Sequence, residues 1–346
     1  MELLLSNIHP VANTNCKSAQ DRFEQLFIEN NSIRIATGYV SEDSLTSLKK
    51  SFELNNKENL ELLIGMHGYE GFTQPQYDAT KYLDDYLRLN KRGEVKIVET
   101  FKFHGKMYSF LNGNNPTAAI LGSSNLNSLF DDSTYEADVY FTDISIVTQI
   151  DSFIRTLSDK SCTPFNQWQP KIVEGKNDRL EGLQGVRKVS DSELESILQK
   201  KTELFFNIPI KDEPKSNLNV YFGKGRQSPR GIIKPRHWYE VEIIVSNQIT
   251  QHENYPKKGD EIKIYTDDGW HFWCKFSGDN AKNLRSRDDL KTLGRWIKGR
   301  LERSGALKTG CPVTKSVLNM YGNNTIKLIA TSDPSVWVLD FGVNAL

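Results

Sequence analysis

Five polar residues within positions 104–136 have the types and spacing of a site that could act on a phosphate ester. His104 and Lys106 are two positions apart, Ser123 and Asn125 repeat that spacing, and Glu136 lies eleven residues beyond Asn125. An imidazole can attack phosphorus, while ammonium, hydroxyl and amide groups can hold the non-bridging oxygens and offset their charge. A carboxylate bonded to the second ring nitrogen would fix the histidine tautomer. This set of groups therefore predicts phosphodiester chemistry.

His104 and Lys106 lie at the start of a predicted strand, residues 106–112, and Ser123 and Asn125 lie around the end of another, residues 117–124; the turn sequence at 113–116 joins the two strands. Because alternate residues of a strand share a face, each pair points to one side, and neighbouring strands would bring both pairs into one pocket. Each motif alone occurs often by chance and more commonly marks a half-buried histidine beside a solvated lysine, or a simple turn. Their occurrence together, in order and within one short segment, favours a site.

The N-terminal half alternates strand-like and helix-like segments, which is typical of an α/β sandwich. We expect this domain to span residues 1–175. Ser41 is a suitable N-cap for the helix predicted at 41–55. In addition to the two strands above, the pattern predicts strands at 32–40, 60–66 and 94–100 and helices at 41–55, 81–93 and 143–159.

The chain changes character after residue 175. Residues 176–217 are polar, with glycines at 182 and 185, and they are predicted to form a linker with one helix at 191–201. Residues 218–346 are rich in strand-like segments separated by turns, with one clear helix at 294–307. The fold class predicted for this second domain is a small, mostly antiparallel β-barrel. Trp270, Trp273 and Trp296 are expected in its core.

The overall charge hides an asymmetry between the two halves. The 44 basic and 44 acidic residues cancel over the whole chain, but residues 1–176 hold 17 basic and 23 acidic residues, whereas residues 216–346 hold 20 and 13. A basic C-terminal half indicates a polyanionic partner. The sequence has no run of about 18 apolar residues, so it predicts no membrane span. The four cysteines are far apart and form no CxxC pair, which indicates a reducing cytoplasm rather than a disulfide or zinc site.

The five polar residues resemble the HKD signature of the phospholipase D superfamily, and more narrowly its single-motif nucleases. Position 111 is leucine where the usual motif has aspartate, a departure that the nuclease branch shares and that argues against a two-motif lipase. No other histidine has a lysine two positions later. The resemblance therefore implies a symmetric homodimer with one active site, in which one His104 forms a phosphohistidine and the partner subunit's His104 protonates the leaving oxygen. It implies no metal and no cofactor.

Two basic segments of the second half are candidate DNA-reading arms. Residues 224–236 hold five basic residues and no acidic one, and residues 276–289 lead into the basic helix at 294–307. Arginine can read guanine, asparagine or glutamine can read adenine, and lysines such as Lys298 and Lys308 would contact phosphate. The alternative is a solvated loop beside an amphipathic surface helix. The candidate DNA-binding residues are Lys224, Arg226, Gln227, Ser228, Arg230, Lys234, Asn283, Arg285, Arg287 and Lys298.

These segments are similar to the two arms of a B3 fold. An HKD domain followed by a B3-like pseudobarrel resembles the phospholipase D restriction endonucleases of the BfiI and NgoFVII/NgoAVII type over nearly the whole chain. That resemblance implies a sequence-specific, metal-independent double-stranded DNA endonuclease of a restriction–modification system. It also implies a cognate DNA methyltransferase and, for some relatives, a separate ATPase subunit.

Two further hypotheses stay open on the sequence alone. The chain is alternatively a non-catalytic DNA-binding protein whose degenerate nuclease fold serves only for dimerisation, or a phosphodiesterase acting on lipids or nucleotide esters. The intact His104, Lys106 and Asn125 argue against the first, and the basic second half argues against the second. His237 and His271 are expected to be structural, whereas His67 and His252 have no identifiable partner in the sequence.

Overall fold

A computed structural model describes residues 1–12, 15–130, 134–175, 178–227, 231 and 233–343. Contacts divide the chain into two compact units. The first unit comprises Met1–Gly175 and Arg226–Pro235, and the second comprises Lys176–Gly225 and Arg236–Leu346. No helix in the described part of the chain is long and apolar enough to cross a membrane.

Helices are numbered in chain order. They are α1 (Ala19–Glu29), α2 (Glu42–Leu54), α3 (Met66–Glu70), α4 (Gln74–Leu89), α5 (Ile144–Ser161), α6 (Asp191–Leu198), α7 (Asn247–Thr250), α8 (Thr292–Arg303) and α9 (Lys315–Tyr321). The helix predicted after Ser41 is confirmed, because the Ser41 side chain accepts a hydrogen bond from the Ser44 backbone and forms a capping box with it.

Strands are numbered in the same way. They are β1 (Glu2–Leu5), β2 (Ser32–Thr37), β3 (Asn59–Ile64), β4 (Phe72–Thr73), β5 (Gly93–Val98), β6 (Met107–Asn112), β7 (Asn115–Gly122), β8 (Ala137–Phe141), β9 (Cys162–Pro164), β10 (Ile172–Val173), β11 (Arg187–Lys188), β12 (Lys201–Pro209), β13 (Arg226–Gln227), β14 (Ile233–Lys234), β15 (Ile243–Ile244), β16 (Glu261–Thr266), β17 (Trp270–Ser277), β18 (Asn283–Ser286), β19 (Thr325–Thr331) and β20 (Val336–Asp340).

The first unit is built on an eight-stranded mixed sheet with the order β1-β8-β7-β6-β2-β3-β5-β9. Strands β2, β3 and β5 run parallel, and β6 joins β2 in the antiparallel direction. We predicted that the strands at 106–112 and 117–124 are neighbours. This is confirmed, because β6 and β7 pair antiparallel from Met107↔Leu121 onward. Two short pairs, β10 with β4 and β13 with β14, complete the unit.

Helices cover both faces of this sheet. Helices α1, α2 and α4 pack Phe23, Leu48 and Leu83 on one face, together with Ile35 of β2. Helix α5 packs on the other face, in a hydrophobic cluster that includes Ala36 of β2. Successive residues of β2 therefore enter different cores, which is why the inner strands read as continuous apolar runs. The predicted α/β sandwich is confirmed.

The second unit is mostly β, as predicted, and forms a curled half-barrel consistent with a B3-like fold. Its main sheet has the order β12-β19-β20-β16-β17-β18-β15, with β11 beside β17. Among the residues that the structure describes, its strand pairs are antiparallel except β16 with β20. Residues 176–217, predicted as a linker, here contribute β11 and β12 to this sheet, because β12 pairs with β19 over much of its length.

Strand β17 shows how the sheet sorts its two faces. Trp270, Phe272, Cys274 and Phe276 are buried, whereas the residues between them are partly exposed. The predicted core positions of Trp270 and Trp296 are confirmed. The prediction for Trp273 is wrong, because its place in the alternation puts its side chain on the outer face, under Arg287.

Candidate functional site

The ends of β6 and β7 bring the two predicted motifs to one edge of the first unit's sheet. His104 and Lys106 directly precede β6, and Ser123 and Asn125 directly follow β7. Because the two strands are antiparallel neighbours, the start of one meets the end of the other. Both motifs therefore lie at the same place on the fold.

The lysine of this site lies against the histidine. Lys106 Nζ is 3.0 Å from both ring nitrogens of His104 and donates a 2.8 Å hydrogen bond to the His104 backbone oxygen. Lys106 is only 7% exposed, whereas the His104 side chain is exposed. Burial lowers the pKa of Lys106, and the negative charge of Glu136 opposes this shift. The result is an accessible imidazole held beside a largely desolvated ammonium group.

The segment after β2 holds the amide of the site. Asn125 Oδ1 accepts a 3.1 Å hydrogen bond from the Tyr39 backbone N–H, and the Thr37 hydroxyl lies 3.4 Å away. A Cβ atom placed on Gly38 would be 2.8 Å from His104 Cδ2 and 3.5 Å from Asn125 Oδ1. His104 and Asn125 therefore both border Gly38. With Oδ1 engaged, the amide can present its Nδ2 donor to a ligand.

The carboxylate has partners other than the predicted one. The hydroxyls of Ser123 and Ser128 donate to Glu136, the second at 2.7 Å. We predicted a bond from Glu136 to the His104 ring; among the described residues, its hydrogen bonds come from the two serines instead. Glu136 directly precedes β8, the strand beside β7, and this position places it next to Ser123, which follows β7. Ser123 is therefore oriented by Glu136.

A buried carboxylate supports the loop that carries Ser123 and Asn125. Asp138 is 1% exposed and accepts hydrogen bonds from the backbone N–H and the hydroxyl of Ser124, at 3.0 and 2.6 Å. The Tyr108 hydroxyl donates to the Ser124 backbone oxygen at 2.8 Å. Burial raises the pKa of Asp138, against the effect of the Ser124 hydrogen bonds. The sequence motifs gave no signal for Asp138 or Ser128, because their importance depends on strand pairing.

Two further observations concern the position of the missing aspartate and the side chains that could bind a metal. Leu111, at the position of the usual motif's aspartate, is buried in β6 opposite Ser32 of β2. Among the described residues, no group of three or more His, Cys, Asp or Glu side chains could hold a metal ion. The groups that converge are an imidazole, an ammonium, an amide and a hydroxyl–carboxylate pair.

Part of the predicted DNA-binding set lies in the first unit. Arg226 and Gln227 form β13 and pair with β14, opposite Lys234 and Ile233. The Lys234 ammonium is 2.6 Å from a Glu24 carboxylate oxygen. The predicted Ser228 and Arg230 lie outside the described residues.

Other predicted DNA-binding residues lie in the second unit. Lys224 is exposed, and Asn283 and Arg285 alternate with buried residues on β18. Arg287 follows β18 and forms ion pairs with Glu261 and Asp288. Asn283 and Arg285 thus share the outer face of the strand, where a ligand can reach them.

Lys298 does not have the predicted surface position. Its side chain is fully buried in α8, lies 3.8 Å from the centre of the Trp238 ring and donates to the Trp238 backbone oxygen. A phosphate contact would require this ammonium at the surface, so we correct the prediction. The helix is buried around much of its circumference, and burial lowers the pKa of Lys298 to about 7.

Four of the other histidines have contacts within their own units. His67 is buried, and its ring nitrogens lie 2.9 Å from the Gly71 oxygen and 3.1 Å from the Val40 oxygen. His252 is exposed and packs against Phe206. His237 accepts from the Tyr239 N–H, and His271 contacts the Tyr265 ring.

The fold and the site define a phospholipase-D-type domain followed by a B3-like domain, and comparisons with known families agree. The model of the NgoFVII restriction endonuclease N-terminal PLD domain matches residues 17–167. The model of the NgoFVII C-terminal B3-like DNA-binding domain matches residues 196–332. The chain belongs to the NgoFVII family of phospholipase D restriction endonucleases. These two domains together support a sequence-specific DNA nuclease.

Comparison with curated proteins found no significant match. Among solved structures, the chain is similar to the phospholipase D family member Nuc from Salmonella typhimurium, with 16% identity, a TM-score of 0.34, and coverage of 50% of this chain and 97% of that one. NucT from Helicobacter pylori is 13% identical with a TM-score of 0.30, and the match covers 42% of this chain and 89% of that one. TrmBL2, an archaeal chromatin protein, is 14% identical with a TM-score of 0.30. The match covers 46% of this chain and 53% of that one, which is about half of TrmBL2.

Proposed function

We propose that this protein is a double-stranded DNA endonuclease of a restriction–modification system that cuts at a specific sequence without a metal ion. The observation that carries the proposal is the exposed His104 imidazole, with Lys106 Nζ 3.0 Å from both its ring nitrogens. Asn125 borders the same glycine as His104 and adds an amide. Together these groups suit nucleophilic attack on a phosphodiester in which fixed cations and dipoles replace a metal.

The proposed reaction has two displacement steps at phosphorus. A ring nitrogen of His104 forms a bond to phosphorus as the bond from phosphorus to the 3′-oxygen breaks, and His104 of the partner subunit gives that oxygen a proton. The same partner histidine then takes a proton from water, whose oxygen displaces His104 and leaves a 5′-phosphate. Lys106 and Asn125 hold the non-bridging oxygens during both steps. Ser123, oriented by Glu136, adds a further polar contact.

A homodimer is part of this proposal because each chain supplies one such histidine. The sequence holds six histidines, and His104 alone has a lysine two positions later. An exposed His104 is what a half-site requires if a second copy completes it. A symmetric pair of chains would place two identical half-sites around one two-fold axis.

The second unit is proposed to read the DNA sequence. The excess of basic residues over positions 216–346 favours a polyanion, and Asn283 and Arg285 on the outer face of β18 have the side chains that read adenine and guanine edges. A restriction role further requires a cognate methyltransferase that protects host DNA. Cleavage that depends on a separate ATPase subunit would be a variant of the same function.

A DNA digest in EDTA tests the proposal. Discrete fragments from duplex DNA are expected for the unmodified protein, and His104→Ala should abolish cleavage while DNA binding persists. His252→Ala is a matched control, because His252 is exposed in the second unit and packs on Phe206. Strict dependence on Mg²⁺ would refute the metal-free mechanism. Binding without cleavage under all conditions would instead favour a non-catalytic DNA-binding protein.

A further inference from the structure

We propose that Tyr39 is a positioning residue that fixes the orientation of His104, and that Glu70 anchors Tyr39 for this purpose. The inference rests on the proposed function, since it concerns the same site. Tyr39 lies outside the motifs from which that site was predicted. Three separate contacts of this one residue carry the inference.

The first contact is made by the backbone. The Tyr39 N–H donates to Asn125 Oδ1 at 3.1 Å, so the chain just after β2 fixes the rotamer of the amide. The preceding residue, Gly38, allows the close approach, because any Cβ there would meet the His104 ring. The segment thus touches both the imidazole and the amide of the site.

The second contact is made by the ring. The Tyr39 and His104 rings are nearly perpendicular, at 77°, with centroids 5.5 Å apart. Tyr39 makes a similar contact with His67, at 5.5 Å and 88°. His67 is buried, bonded to backbone atoms and stacked on Phe72 with centroids 4.6 Å apart. Tyr39 therefore lies between a fixed ring and the exposed imidazole, and it limits the rotation of the latter.

The third contact is made by the hydroxyl. Tyr39 Oη lies 3.0 Å from both carboxylate oxygens of Glu70, to which it donates. Desolvation and the bond to Glu70 raise the pKa of Tyr39, so the hydroxyl keeps its proton near neutral pH. Glu70 follows β3 in the short helix α3, a different part of the chain from Tyr39. The hydroxyl end of the ring is thereby tied to a second element.

These contacts predict that the Tyr39 ring affects the reaction rate rather than DNA binding. An imidazole free to rotate would spend less time aligned with phosphorus, and small misplacements of a reacting group lower rates strongly. Tyr39→Ala removes the ring but keeps the N–H that binds Asn125. We expect the single-turnover cleavage rate to fall about 10- to 100-fold, with DNA affinity within about twofold of the parent. Tyr39→Phe keeps the ring and loses only the hydroxyl, so it should cleave faster than Tyr39→Ala although more slowly than the parent.

Glu70 provides an independent test through a double-mutant cycle. Tyr39→Phe and Glu70→Ala each remove the same hydrogen bond, so each should slow cleavage by roughly fivefold and the double variant by no more than either alone. Tyr69→Ala is the matched control: Tyr69 is a neighbouring exposed tyrosine whose ring lies under Lys102, and its loss should leave the rate unchanged.

The outcomes separate this inference from the proposed function. If His104→Ala abolishes cleavage but Tyr39→Ala retains the full rate, or loses only DNA affinity, the positioning role is refuted and the nuclease stands. If His104→Ala cleaves normally, the proposed function itself fails. Should Tyr39→Ala not fold, the Tyr39→Phe and Glu70→Ala pair decides, and additive effects would overturn the inference.

Discussion

Substitution of Gly38 by alanine is the most direct test of the geometry around His104. Gly38 follows β2, and its φ is not in the left-handed region, so alanine brings no backbone strain of its own. The added methyl group would lie 2.8 Å from His104 Cδ2 and 3.3 Å from His104 Cα. The perturbation therefore acts on the proposed nucleophile through contact alone.

The size of the effect follows from these distances. Carbon atoms pack at about 3.5–4.0 Å, so the imidazole must move by roughly 0.7 Å or more. A displacement of about 1 Å at a reacting group can cost about 100-fold in rate. We expect Gly38→Ala to slow single-turnover cleavage by about 10- to 100-fold. Because His104 is exposed and can move into solvent, the free energy of unfolding should change by less than about 1 kcal/mol.

The assay compares cleavage rate, DNA affinity and thermal unfolding of one preparation. Gly299→Ala in α8 is the matched control, since its new methyl group also meets a side chain, Cγ of Arg179 at 2.9 Å, but not a residue of the proposed site. Gly299→Ala should leave cleavage unchanged, because it does not touch His104. A Gly38→Ala protein that cuts at the normal rate would show that the position of the His104 ring does not limit the reaction. Equal losses of rate and of DNA affinity would also refute the reasoning.

Three further predictions concern stability and DNA reading. Asp151→Ala should destabilise the first unit by about 3 kcal/mol in urea unfolding, because Arg34 Nη1 loses its contacts of 2.8 and 2.9 Å with both oxygens of a buried carboxylate and the Ser109 hydroxyl loses the same acceptor. Asp85→Ala is the control: Asp85 forms an exposed pair with Lys81, and its loss should cost less than about 0.5 kcal/mol. Burial lowers the pKa of Lys298 to about 7, so from pH 7 to about 10 the unfolded chain binds more protons than the folded one and stability should rise with pH. Lys298→Met should remove that rise, as measured by tryptophan fluorescence at pH 7 and pH 9; an unchanged pH dependence would contradict it. Arg285→Ala should weaken binding to the cognate duplex by about 1–3 kcal/mol and relax sequence preference, and a uniform loss on all sequences would instead assign Arg285 to phosphate.

Local patterns in the sequence were enough for several parts of the site. The two-residue spacing predicted His104 with Lys106 and Ser123 with Asn125 as pairs, and the structure places the first pair just before β6 and the second just after β7, outside the strands themselves. The turn between them predicted that their strands are neighbours, and the β6–β7 pairing confirms it. Alternation of strand and helix signals predicted the fold of the first unit for the same reason, because short-range periodicity reflects burial on one face or two.

Contacts between distant segments were decided only by the tertiary structure. The choice of Ser123 and Ser128 as partners for Glu136 depends on β8 lying beside β7, and the contact of Tyr39 with His104 depends on β2 lying beside β6. Lys298 was predicted at the surface because its helix is basic, yet packing buries most of that helix. The sequence determined which chemical groups are present and that they lie next to the ends of paired strands. Strand order and helix packing determined which of them meet, since those contacts come from chain segments that no local pattern relates.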